Sequence, residues 1–256
     1  MINFNQLSPD LNLCQAASDP THAVQIHQLW QKFYQTCPSL PKFAQATAQI
    51  CPNDWQSAYH IWQSIKSDNQ NEQALTDWLI ALFNRVFNNP HLPQMPTILV
   101  RGKGEPEYFP AEHHKPACIE FAHGFFQSAL HEISHWCIAG KKRRALNDFG
   151  YWYEADGRDE QTQALFEQVE IKPQAVECLL TLACGRYFYV SQDNLNADFD
   201  TSGSTFAADV YAQAMVYLSN PDSLPQDAQV LLWLLLTLSH SDYYTDLPPK
   251  PKCNLK

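Results

Sequence analysis

The stretch FFQSALHEISHWCIA, residues 125–139, decides how this chain is read, because it sets His131-Glu132-Ile133-Ser134-His135 inside a run of helical periodicity. Four residues make about one helical turn, so both imidazoles leave the same face and can share one metal ion. Glu132 departs roughly 100° round the helix from His131, which puts its carboxylate beside a metal-bound water as the catalytic group. Gly140 and the basic run Lys141-Lys142-Arg143-Arg144 mark the helix end. Two histidines leave a metal under-coordinated, so a third protein ligand must come from elsewhere. An extended metzincin pattern would need glycine and histidine where the chain has Ile138 and Lys141, which points instead to a downstream carboxylate. The candidates are Glu154, Glu160, Glu167, Glu170 and Glu177. Glu170, at the end of an expected helix stopped by Ile171-Lys172-Pro173, is preferred over Glu167. Two neutral imidazoles and one carboxylate leave coordination positions open, which suits a catalytic zinc or a non-haem iron(II).

Upstream of this helix, 97–101, 107–109 and 118–122 are short and rich in β-branched or aromatic residues, and they are expected as strands. Downstream, helices are expected at about 159–170, 173–185, 205–219 and 227–239, with Pro173 as the only proline between Pro116 and Pro221. The first part of the chain has a different composition, since the first glutamate is Glu72 and all eight glycines fall between Gly102 and Gly203. Apolar residues there recur at helical spacing, as in Ala23, Ile26, Trp30, Phe33 and Tyr34, then Phe43, Ala46 and Ile50, then Trp55, Ala58, Tyr59, Trp62 and Ile65. This predicts an all-helical N-terminal extension, 1–70, before a metal-dependent domain, 71–256; helical periodicity does not distinguish a bundle with its own core from helices packed over that domain. The helix 72–87, with Leu75, Trp78, Leu79, Leu82, Phe83, Val86 and Phe87 on one face, opens that domain.

The fold class expected is α+β, a zincin-like domain with a small sheet and the HExxH helix. With 256 residues, 45% apolar and 17% charged, the chain can bury a substantial core. Its longest dense apolar run, 230–238, is far shorter than the roughly 20 residues a membrane-spanning helix needs. A net charge of -10 argues against direct nucleic-acid binding. The first residues show no basic-then-apolar signal pattern, and the eight cysteines show no CxxC, so a cytoplasmic location with free thiols is expected.

The segment FAHGFFQSALHEISHWCIAGKKRRALNDFGYWYEADGRDEQTQALFEQVEIKPQA, 121–175, followed by Asp193-Asn194-Leu195, resembles the elongation factor P hydroxylase family. The resemblance covers roughly residues 70 to 247, Tyr243-Tyr244 included. It implies an oxidoreductase that hydroxylates a β-lysylated lysine of translation elongation factor P, a protein-lysine monooxygenase using a divalent metal, iron(II), and molecular oxygen. It also implies ligation by His131, His135 and a glutamate of the segment Phe166-Glu167-Gln168-Val169-Glu170. The scarcity of strands agrees with it, because oxygenases with an HxD...H triad sit on a jelly roll of many strands. The alternative from HExxH alone is a gluzincin-type zinc metallopeptidase with Glu132 as general base.

Several neighbours are candidates for binding substrate. Lys141, Lys142, Arg143 and Arg144 would dock an acidic partner or simply complement a helix C-terminus. Arg158 would clamp a substrate carboxylate or make a salt bridge in a helix's first turn. Tyr151, Trp152 and Tyr153 would wall a slot for a long aliphatic arm or serve as core. His123 would join the site or support it, whereas His113 and His114 are expected at the surface.

Overall fold

The computed structural model describes the chain apart from residues 1, 40–42, 44–45, 48–51, 67–70, 91–94, 152–155, 241–243 and 245–256. Among the described residues the chain opens with the helices α1 Leu11–Ala17, α2 Pro20–Thr36, α3 Pro52–Ile65 and α4 Glu72–Phe87. Asp19 caps α2, its carboxylate accepting from the N–H groups of Thr21 and His22, with Pro20 preset at the first helical position. Three strands follow, β1 Thr97–Arg101, β2 Glu107–Phe109 and β3 Ala117–Phe121, and then α5 Phe126–Arg143, α6 Glu160–Ala183, α7 Phe206–Ser219 and α8 Gln226–Ser239. The class is α+β, with helices dominating a small sheet. No helix among the described residues is long and apolar enough to cross a membrane, and their cysteines are free.

The sheet order is β1-β3-β2, with β3 parallel to β1 in the register Thr97 to Ala117 and antiparallel to β2 in the register Tyr108 to Ile119. Alternation turns Leu99, Tyr108, Ile119 and Phe121 inward. The edge strand β1 is closed by Asn84 of α4, whose amide both accepts from Leu99 N–H at 2.7 Å and donates to Leu99 C=O at 3.1 Å. The chain leaves β3 through His123 (φ 55°) and Gly124 (φ 75°). At the start of α5, Phe126 N–H donates 2.6 Å to the Glu72 carboxylate, a cap borrowed from α4. Phe126, Ala129, Leu130, Ile133, Trp136 and Cys137 form the buried face of α5. Trp136 lies against Phe83 and Phe87 at 5.3 and 5.0 Å between ring centres.

One expectation is corrected here. Pro173 does not end a helix: α6 runs through it from Glu160 to Ala183. Proline cannot donate to the carbonyl four residues back, a penalty of about 3 kcal/mol. Burial offsets it, because Ala175, Val176, Cys178, Leu179, Leu180, Leu182 and Ala183 are all buried, with α6 packed between α5, α7 and α8. Of the two packings open to the N-terminal helices, the contacts show one shared with the rest of the chain. Trp233 of α8 is stacked by Tyr34 at 5.1 Å and met edge-on by Phe43 at 4.8 Å, with Trp55 at 6.5 Å. Trp62 meets Trp78 of α4 at 4.4 Å, and Gln63 donates 3.1 Å to Leu238 C=O. One hydrophobic cluster runs from Phe4 to Tyr244. The boundary near residue 70 is therefore a seam of composition across a shared core, because the aromatic face of each side is completed by the other.

Candidate metal centre

The α5 spacing brings His131 Nε2 and His135 Nε2 to 3.1 Å. Glu170 of α6 completes the group, its Oε1 lying 3.2 Å from His135 Nε2 and its Oε2 3.9 Å from His131 Nε2. Among the described residues these three offer donor atoms that all lie within 4.8 Å of one another. Atoms bound about 2.1 Å from one metal sit roughly 3.0–3.4 Å apart at octahedral or tetrahedral angles. The imidazole pair and the contact of His135 with Oε1 match, while His131 meets the other carboxylate oxygen at 3.9 Å, so the donor chemistry and its convergence within 4.8 Å fit a divalent ion. The convergence of two imidazole nitrogens on each other, in front of a carboxylate 5% exposed, is the arrangement a cation between them would relieve.

Charge follows the same geometry. Burial disfavours a positive His131, but Glu177, hydrogen-bonded to it, with Glu170 and Glu132, raises its pKa to about 10. Burial would raise Glu170 as well, yet His135 and then His131 hold it down to about 2. Glu132 is pushed upward by burial, against the pull of His131 and His135.

His135, Glu170 and Glu132 open onto a cavity of about 770 Å³. Tyr108, Phe149, Tyr151 and Phe166 wall it, and Glu105, Glu107 and Glu120 line its sheet side. Tyr108 stacks on Phe149 at 4.1 Å, with its N–H donating 2.8 Å to Asp148 and its hydroxyl 2.8 Å to Arg144 C=O. Nothing in the sequence pattern marked this pair, because the link spans 36 to 40 residues.

The other sequence candidates divide. Tyr151 lines the cavity, with the Arg143 guanidinium 4.0 Å over its ring, whereas Trp152, Tyr153 and Glu154 lie outside the described residues. Lys141, Lys142 and Arg143 are exposed. Arg144 is not: it stacks 3.5 Å over Trp136, donates 2.8 Å to Trp136 C=O and pairs with Asp227 at 2.8 Å, so it is structural rather than free for a partner. Arg158 is likewise corrected. Buried to 4% exposure, it lies over Phe166 at 3.8 Å and donates to Gln163 and to the carbonyls of Gln192 and Asp193, tying the loop after α6 to the start of that helix. Glu167 faces away from the imidazoles, accepting from Gln163, Gln192 and Ser204. Glu160 is exposed at the first turn of α6, and His123, His113 and His114 are exposed. Asn194 is buried and bonds both ways with the Arg158 backbone, at 3.1 and 3.0 Å.

Helix-borne paired imidazoles facing a carboxylate of a second helix, at the wall of an aromatic cavity, define the class of two-histidine, one-carboxylate centres. The sequence model of the family described as elongation factor P hydroxylase matches residues 82–246, and the chain belongs to that family. It is 47% identical over 163 residues, 62% of its length, to the elongation factor P lysine hydroxylase of Haemophilus influenzae, covering 86% of that protein. The match takes in α5, α6 and the sheet, and leaves out the first 81 residues.

Proposed function

We propose that this chain is a cytoplasmic protein-lysine hydroxylase of the monooxygenase type, acting on the lysine of translation elongation factor P that carries a β-lysyl group. The observation that carries this reading is the convergence of His131, His135 and Glu170 in a chain of this family, with His135 and Glu170 lining the cavity. The HExxH helix is read as zincin-like in form, holding iron(II) through those three residues. Iron(II) bound there would supply the activation of molecular oxygen. The chain's own residues do the rest. Glu132, its carboxyl pushed up by burial beside His135 and Glu170, holds or delivers a proton at its carboxyl oxygen. The rings of Tyr108, Phe149, Tyr151 and Phe166 flank an aliphatic arm and limit water. Glu105, Glu107 and Glu120 complement the positive charge of that arm. Exposed Lys141 and Lys142, next to Arg143 on the Tyr151 ring, face an acidic partner.

Mass spectrometry of β-lysylated elongation factor P after incubation with the protein tests this. A gain of one oxygen on the lysine-bearing peptide, dependent on iron(II) and oxygen, is expected. Glu132→Gln should keep bound metal and lose about 10²–10⁴-fold in rate. Cleavage of casein by the zinc-loaded protein, with no oxygen gained, would overturn the reading in favour of the peptidase.

A further inference from the structure

Each imidazole of a metal centre has a second nitrogen, and its partner decides which way the ring points and where its proton sits. The His131 ring uses Nε2 toward His135 and Glu170. Its Nδ1 lies 2.8 Å from Glu177 Oε2. The other oxygen of Glu177 accepts from the side-chain amide of Gln127, which also donates 3.1 Å to Thr181 Oγ1. Gln127 and His131 are four apart on α5, as Glu177 and Thr181 are on α6, so the four side chains form a square of rungs across the helix interface. Thr181 is fully buried and Glu177 is 5% exposed. Among the described residues no lysine or arginine pairs with this carboxylate, so its burial is compensated by the imidazole and the amide.

We infer that Glu177 is the positioning residue of the centre: it takes the Nδ1–H of His131, braced by Gln127 and Thr181, and so presents Nε2 to the metal. The inference rests on the metal-binding reading. Glu177 is not itself placed as a ligand, because it occupies the opposite nitrogen of the ring from the one facing His135 and Glu170. It also acts on one imidazole only. Among the described residues His135 Nδ1 has no hydrogen-bond partner, so removal of Glu177 loosens His131 alone. A partner that fixes the tautomer and raises ligand basicity is typically worth about 10–100-fold in metal affinity.

The test uses the full chain, with zinc and iron(II) affinities measured by competition against a chromophoric chelator. Glu177→Ala should bind one metal about 10–100-fold more weakly. Glu177→Gln, which keeps the shape and one acceptor oxygen, should lose about three- to tenfold, and Gln127→Ala a similar amount. In the zinc-loaded protein the His131 Nδ1–H should give a slowly exchanging NMR resonance that survives in Glu177→Gln and is lost in Glu177→Ala. Affinities within twofold of the parent in both Glu177 variants, with only the melting temperature lowered, would reduce Glu177 to a strut between helices and overturn the inference. Complete loss of metal in Glu177→Ala with retention in Glu170→Ala would overturn it too, by making Glu177 the ligand. A parent chain that takes up no metal, or a His131→Ala variant that keeps it, would instead bring down the underlying reading.

Discussion

The α5–α6 interface and the N-terminal packing around Trp233 hold the chain together by opposite means. Around Trp233 the contacts are aromatic faces with few polar links, such as Thr237 Oγ1 to Tyr34 OH at 3.0 Å. Between α5 and α6 the buried groups are glutamates, glutamines and histidines whose polar atoms answer one another. The first arrangement is non-directional and scales with area, so neighbours compensate for small losses; the second depends on geometry and fails when one partner goes. The first region is largely outside the family match and the second is inside it, yet both belong to one core.

Deleting residues 1–70 is the hardest blow to that contrast. It uncovers Trp78 and Trp233, and at about 1.5–3 kcal/mol per large side chain the loss approaches the roughly 5–15 kcal/mol that holds a domain together. A shortened chain should show no cooperative melting transition; one that melts like the parent would restore an independent N-terminal unit. Next come His131→Ala, His135→Ala and Glu170→Ala, each expected to abolish bound metal by elemental analysis while circular dichroism stays helical. Glu167→Ala should keep the metal, and losing it there would move the third ligand. Trp233→Ala should cost about 3–5 kcal/mol by urea unfolding while leaving metal affinity unchanged within twofold, which separates area from geometry directly. The smallest effect is in the caps. Asp19 and Asp159, one in each region, are held below their ordinary range, Asp19 first by the N–H of His22 and Asp159 first by that of Thr162. A depressed carboxylate contributes stability above its unfolded pKa that disappears as pH falls through the folded value, so Asp19→Asn and Asp159→Asn should narrow their gap from the parent as pH falls below about 4.

How much of this was legible depended on range. Local periodicity sufficed for β1, β2, α4, α5 and α8, and HExxH spacing for the paired imidazoles, because those signals lie within a few residues. The sequence pattern sets Glu170 at a helix end before Pro173, whereas Glu170 sits within a helix that continues through that proline. Proline is a local signal, and the burial that overrides it is not. For the same reason Glu177 looked like one more candidate ligand: seven residues from Glu170, it shares a face with it only when 160–183 is unbroken. The anchoring of Arg158 and Arg144 is hidden in the sequence, since their stacking partners Phe166 and Trp136 lie eight residues away and Gln192, Asp193 and Asp227, among their polar partners, lie far beyond. The shared core was hidden by a composition shift that says nothing about which apolar faces meet.

The unbroken α6 has a last consequence, for which changes of length the chain tolerates. Gln163, Glu170 and Glu177 stand seven apart, two turns each, and serve in order the Arg158 clasp, the donor cluster and the His131 brace. One residue inserted between Gln163 and Glu177 would turn everything beyond it by about 100° and advance it about 1.5 Å, setting one part of that series against another. A substitution along this helix disturbs one contact, whereas a single-residue insertion or deletion disturbs every contact beyond it, so α6 works as a ruler that fixes both the angle and the rise of each position.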